Sequence, residues 1–148
     1  MSDRVPKTRQ SFAELERLGL WRTTAELERL LAAAEELGQS TVPPVLAHGD
    51  LHFRHLLVER GQLCGVIDWI DLCRSDPAID LVAYWSFVPA FGRDAFLAAY
   101  GPVDDEQLLR ARIVALSLSA HLALYGHAEG HESIAREALG GIARALSG

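Results

Sequence analysis

The chain reads as an α+β protein, mostly α: a helical bundle carrying one small β-hairpin. Three observations lead there. Residues beyond Asp76 keep helical spacing between capping signals, and residues 23–38 do the same. Only residues 45–67 hold short apolar runs broken by turn residues. The length of 148 residues, 49% hydrophobic and 23% charged, suits one domain, 1–148, with a core that needs no staple.

Residues 1–10 are polar and hold the sole lysine, Lys7, so they read as a loose terminus. Residues 11–18 are spaced for a short helix. Thr23 with Glu26 forms a capping box ahead of Leu27, Leu30, Leu31, Ala34 and Leu37, and Gly38 is a natural stop. Two prolines make 39–44 a loop. Val45–Ala47 reads as a strand entering His48-Gly49-Asp50. Residues 56–58 and 63–67 read as a hairpin around Glu59-Arg60-Gly61-Gln62. Asp76 as N-cap and Pro77 at the first position predict a helix over 77–88. Residues 93–100 are amphipathic, with Tyr84, Trp85 and Phe87 before them read as core. Asp104 and Gln107 cap a long helix through Tyr125, with His121 as a core histidine, and 132–146 close the chain.

Charge narrows the partners. The net charge is −6, and the 14 Lys and Arg are dispersed. Neither phosphate neutralisation on nucleic acid nor an anionic membrane surface is expected, and a small cationic acceptor is mildly favoured. Cys64 and Cys73 are too few for a disulfide framework, which points to a reducing cytoplasm. No basic-then-apolar leader opens the sequence. The apolar stretch 113–125 is interrupted by Ser117, Ser119 and His121 and is short for about 30 Å of hydrocarbon.

Chemistry concentrates around the hairpin. Asp50 precedes its first strand and Asp68 follows its second, so folding brings the two flanks together. His48, His52, His55 and Asp71 surround them. Paired carboxylates can take a proton from a nucleophile and hold a divalent cation. Singly, each residue is an ordinary turn or loop residue; the combination is what points to a site. A metal hydrolase using His48, Asp50, His52 and Asp68 fits the same residues. His127 and His131 have ligand spacing, but a helix–helix turn explains them.

The segment His48-Gly49-Asp50-Leu51-His52 with Leu56-Leu57-Val58 resembles the catalytic loop of the aminoglycoside phosphotransferase and choline kinase-like family, His-Gly-Asp-Leu-His-Pro-Gly-Asn-Leu-Leu. Gly65-Val66-Ile67-Asp68-Trp69-Ile70-Asp71 is similar to its Ile-Asp-Phe/Trp-Gly-Asp segment, and Asp76-Pro77-Ala78-Ile79-Asp80-Leu81 to its Asp-Pro-Ala-x-Asp-Leu segment. The resemblance implies a protein-kinase-like C-terminal lobe and an ATP- and Mg2+-dependent transfer to a small-molecule hydroxyl. It casts Asp50 as the catalytic aspartate and Asp68 as the metal-holding one. His48, His52 and Asp80 support the loop, and Asp71 faces the pocket.

The sequence departs from that pattern twice. His55 stands where the family has a metal-ligating Asn, and Phe53-Arg54 replace Pro-Gly. His55 either ligates the metal or bonds Asp50, and Arg54 either meets phosphate or points to water. The residues preceding His48 read as helical, and no Gly-x-Gly occurs, so the nucleotide lobe is expected to be absent and the nucleotide-binding residues are unassigned. The uncovered surface is then expected to favour self-association. The sequence then reads as a fragment or mis-started version of a longer phosphotransferase, and the alternative expectation is a catalytically silent half-domain that serves as a binding module.

Overall fold

The computed structural model describes residues 1–147. Among them lie helices α1 (Arg4–Arg17), α2 (Ala25–Glu35), α3 (Val82–Ser86), α4 (Arg93–Tyr100), α5 (Asp105–Ala128) and α6 (Glu132–Leu146). The strands are β1 (Val45–Ala47), β2 (Leu56–Glu59), β3 (Gln62–Val66) and β4 (Cys73–Ser75). The architecture is α+β and mostly α.

The expected loose terminus is a helix. α1 begins at Arg4 because Val5, Thr8, Phe12 and Leu15 line one buried face. Thr8 disguises that face as polar, yet its hydroxyl donates to the Arg4 carbonyl at 2.9 Å and so enters the core satisfied. α2 is capped one residue later than predicted: Thr24 Oγ1 accepts from the Leu27 N–H at 3.2 Å. Arg9 on α1 pairs with Glu28 and Glu35 on α2.

α5 is the central helix. Ile113, Val114, Ala115, Leu116, Ala120, Leu122 and Ala123 are all buried, so it is apolar on several faces, as a helix surrounded by neighbours must be. The Asp104 carboxylate caps it, accepting from the Gln107 N–H at 2.7 Å. By length and composition α5 is long enough to cross a bilayer, longer than the 113–125 stretch suggested, but 61% of its apolar window is buried within the fold. α6 crosses it closely at Gly126, where a Cβ would lie 2.6 Å from the Ala135 backbone nitrogen. Gly126 therefore belongs to the helix interface, and His127 lies in the last turn of α5 while His131 precedes α6.

Trp85 anchors the other side of α5. Its Nε1–H donates to the Leu108 carbonyl at 2.8 Å, and the Arg93 and Arg112 guanidinium carbons each lie 4.6 Å from its ring centre. Tyr84 is buried beside it, whereas Phe87 is exposed. Arg112 also donates to the Ala145 and Leu146 carbonyls, and Arg93 to that of Arg144. Those acceptors are the unpaired carbonyls of the last turn of α6.

The predicted helix over 77–88 is broken. Pro77–Ile79 is a single 3-10 turn, capped by the Asp76 carboxylate on the Ala78 N–H at 2.9 Å, and α3 starts only at Val82. The break leaves Asp80 free to bond outside its own segment. The hairpin is β2 with β3, turned through Arg60 and Gly61, both at positive φ as a two-residue turn of this hand requires. A second ribbon, with no local signal at its β4 strand, forms where β1 pairs antiparallel with β4, in register Val45↔Ser75, Leu46↔Arg74 and Ala47↔Cys73.

Candidate functional site

The β1–β4 ribbon brings the three sequence motifs to one place. Because Ala47 lies opposite Cys73, the chain leaves β1 at His48 just where it enters β4 from Asp71 and Leu72. Gly49, at φ +89, passes so close that a Cβ there would sit 2.4 Å from the Asp71 carbonyl oxygen. Only glycine meets both conditions. Asp80 then closes the loop: its Oδ2 accepts from the His48 N–H at 2.6 Å and its Oδ1 from the Gly49 N–H at 3.0 Å.

Three buried histidines form a column beneath Asp50. The Asp50 N–H points at His48 Nδ1, 3.3 Å away, and His48 Nε2 lies 2.8 Å from the Ile67 carbonyl. A donor on one side and an acceptor on the other assign the proton to Nε2. With both nitrogens engaged, His48 is unavailable to a metal, which removes it from the hydrolase ligand set. His52 Nδ1 accepts from the Arg54 N–H at 3.3 Å and caps the 3-10 turn Phe53–His55, while its Nε2 lies 3.6 Å from Asp50 Oδ2. Burial holds the His52 imidazole below the usual histidine range. The charge of His55 adds to this and that of Asp50 opposes it.

His55 joins the two carboxylates. Its Nδ1–H donates to the Asp50 carbonyl at 2.8 Å and lies 3.9 Å from Asp50 Oδ2. Its Nε2 faces Asp68 Oδ2 at 3.4 Å. With the ring proton on Nδ1, the Nε2 lone pair and the carboxylate oxygen repel unless a proton or a cation stands between them. Two ligands about 2.1 Å from one tetrahedral cation lie about 3.4 Å apart, so this pair fits a divalent ion that accepts nitrogen and oxygen together. The backbone bond at Nδ1 is the orienting contact that such a ligand needs. An imidazole suits Mn2+, Co2+ or Zn2+ better than Mg2+. Ligand atoms of Asp50, His52 and His55 also lie within 4.8 Å of one another.

Asp68 stands at φ 65, ψ 58, a left-handed conformation that Asp tolerates better than most side chains. It turns the chain out of the hairpin and into the 3-10 turn Trp69–Asp71. Trp69 packs on His48, ring centres 4.8 Å apart, and donates from Nε1 to the Val66 carbonyl. Asp71 is exposed and meets Gly49 through its backbone. Arg54 turns toward α5, its guanidinium carbon 5.6 Å from the Tyr125 ring centre, and forms no ion pair among the described residues.

A cavity of about 300 Å³ opens beside Asp50. Gly49, Asp50 and Leu51 form one wall, Asp3, Arg4 and Lys7 of the α1 end another, and Ser117, Leu118 and His121 of α5 a third. Neither Asp68, Asp71 nor Arg54 lines it. His121, expected in the core, is exposed and donates from Nδ1 to the Ser117 carbonyl at 2.7 Å. Sequence reading missed Arg4, Lys7 and His121. The only signal that would have found them is the apolar face of α1, which packs that helix along α5.

Comparison with known proteins agrees with the motifs. No solved structure matches the chain significantly. The uncharacterized protein YcbJ of Bacillus subtilis (strain 168) is 31% identical over 103 residues, which cover 64% of this chain and 34% of that protein. The matched stretch thus spans about a third of the relative's length. Residues 2–112, from α1 into the first turns of α5, match the phosphotransferase enzyme family. That stretch contains Asp50, Asp68 and Asp80 together with the helices that frame them, and the chain belongs to the phosphotransferase enzyme family.

Proposed function

We propose that this chain carries the acceptor-activating and cation-holding part of a kinase-like phosphotransferase, which moves the γ-phosphoryl group of ATP to a hydroxyl of a small molecule. The observation that carries this reading is the single His55 imidazole touching both Asp50 and Asp68. Asp50 stands at the cavity wall and accepts the proton of the acceptor hydroxyl as the oxygen attacks phosphorus. Asp80 holds the loop by two backbone N–H groups, and His48 and His52 brace it from below. Asp68 and His55 would hold the divalent cation, which when bound neutralises charge on the nucleotide phosphates.

The test is transfer from labelled ATP to a panel of hydroxyl compounds, on the protein as its gene encodes it. Asp50→Asn keeps the shape and removes the base. It is expected to lower the rate by roughly 100-fold or more. Equal rates in the two proteins would remove Asp50 from the chemistry. The metal hydrolase reading is the weaker one, because both nitrogens of His48 are already hydrogen-bonded.

A further inference from the structure

The cavity beside Asp50 carries its own charge pattern. Of the arginines that are not exposed among the described residues, Arg9, Arg110, Arg112 and Arg144 pair with glutamates, and Arg93 bonds a carbonyl and stacks on Trp85. Arg4 is the exception: half-buried, it has neither an ion pair nor a side-chain hydrogen bond among the described residues. It lines the cavity with Lys7, one turn further along α1, and with His121 across the gap. Asp3, which also lines the cavity, does not pair with it. Burial draws the Arg4 guanidinium below its ordinary range, and no carboxylate counters that effect. A partly desolvated fork of N–H donors at a cavity wall is built to take a planar or tetrahedral oxyanion.

The cavity also lies on a definite side of Asp50. It is walled by α1 and α5 and excludes Asp68 and the hairpin, so it is not the place for the cation and the phosphates it would hold. A small molecule filling it would meet Asp50 at one end and Arg4 with Lys7 at the other. We propose that the acceptor of this phosphotransferase is itself an anion, a hydroxyl compound whose carboxylate or phosphate sits against Arg4 and Lys7 while its hydroxyl faces Asp50. The inference rests on the phosphotransferase reading for the role of Asp50. It reverses the preference for a cationic acceptor that the net charge of −6 suggests, because the charges nearest the ligand outweigh the distant screened ones.

Calorimetric titration without nucleotide tests it, with glycerate and glycerol 3-phosphate as anionic probes, glycerol as the neutral probe and ethanolamine as the cationic one. At least one anion is expected to bind saturably and more tightly than glycerol or ethanolamine. Arg4→Gln and Lys7→Gln are each expected to weaken that binding by about 10-fold, the loss of one charge-assisted contact, while Arg4→Lys restores most of it. Lys7 is exposed, so its variant folds even where an Arg4 variant does not. Failure of both anions to saturate, tighter binding of ethanolamine, or unchanged affinity in both glutamine variants would overturn the proposal. Asp50→Asn separates the two readings. Arg4-dependent anion binding with transfer unaffected by Asp50→Asn sinks the catalytic role alone. Asp50-dependent phosphorylation of ethanolamine but of neither anion sinks the anionic acceptor alone.

Discussion

At Gly49 the site tolerates no side chain. The residue combines a positive φ with a carbonyl oxygen where a Cβ would go. Gly49→Ala adds left-handed strain of about 1 kcal/mol and forces the β1 and β4 ends apart. A loss of about 2 kcal/mol or more is expected, read as a lower urea midpoint at constant slope. In the proposed phosphotransferase, His55 is the residue that would set the choice of metal. His55→Asn replaces a nitrogen ligand by an amide oxygen, and Mn2+ or Zn2+ affinity is expected to fall by about 10-fold or more while Mg2+ affinity is unchanged or rises. Competition against a metal-sensitive dye reads both. His52 contributes a pH dependence. Its folded-state pKa is depressed from 6.5 by burial, so below about that pH the unfolded chain takes up the proton first. Stability in chelator is therefore expected to be fully present above pH 6.5 and to decline as the pH falls toward the folded pKa. In His52→Gln that part of the decline disappears from the curve of unfolding free energy against pH.

The elements differ in how plainly the sequence announced them. α2 and α5 carry side-chain caps, and α2, α5 and α6 all carry apolar spacing within their own residues, so local reading finds them within a residue or a few. The second half of α1 matches the short helix expected over 11–18, and only its first turns escape local reading, because Thr8 occupies a core position. Residues 77–88 suggest one helix because Asp76 and Pro77 are helix-starting residues, and nothing local reveals that Asp80 is needed by His48 and Gly49. β4 has only the residues Cys-Arg-Ser, and its clue is indirect: β1, at three residues, must have a partner. The acidic pair and its histidines were legible from motif spacing, whereas Arg4, Lys7 and His121 come together only through helix packing. At α6 the same tertiary logic yields a stability test. Arg112 donates to two terminal carbonyls and stacks on Trp85. Arg112→Ala is expected to cost about 2–3 kcal/mol and to fray the last turn, measurable by calorimetric unfolding and by helical circular dichroism.

Across the whole molecule, the buried apolar mass lies in the helices, and the candidate site's carboxylates and histidines lie on and beside two short ribbons outside it. Val45 and Leu46 of β1 and Val58 and Leu63 of the hairpin are exposed, and Ile70 is 86% exposed. The ribbons thus gain little from burial, while α5 is enclosed by its neighbours. Stability should follow that division. Six paired residues, three in β1 and three in β4, hold the carboxylates of positions 50 and 80 in their relative places. When those pairs part, the region can melt as a unit while the bundle persists. Amide hydrogens at Ala47, His48 and Gly49 are expected to exchange with deuterium together, and well before those of Ile113 to Ala120. Exchange of both sets at one rate would mean instead that the ribbon and the bundle open only as a single cooperative block.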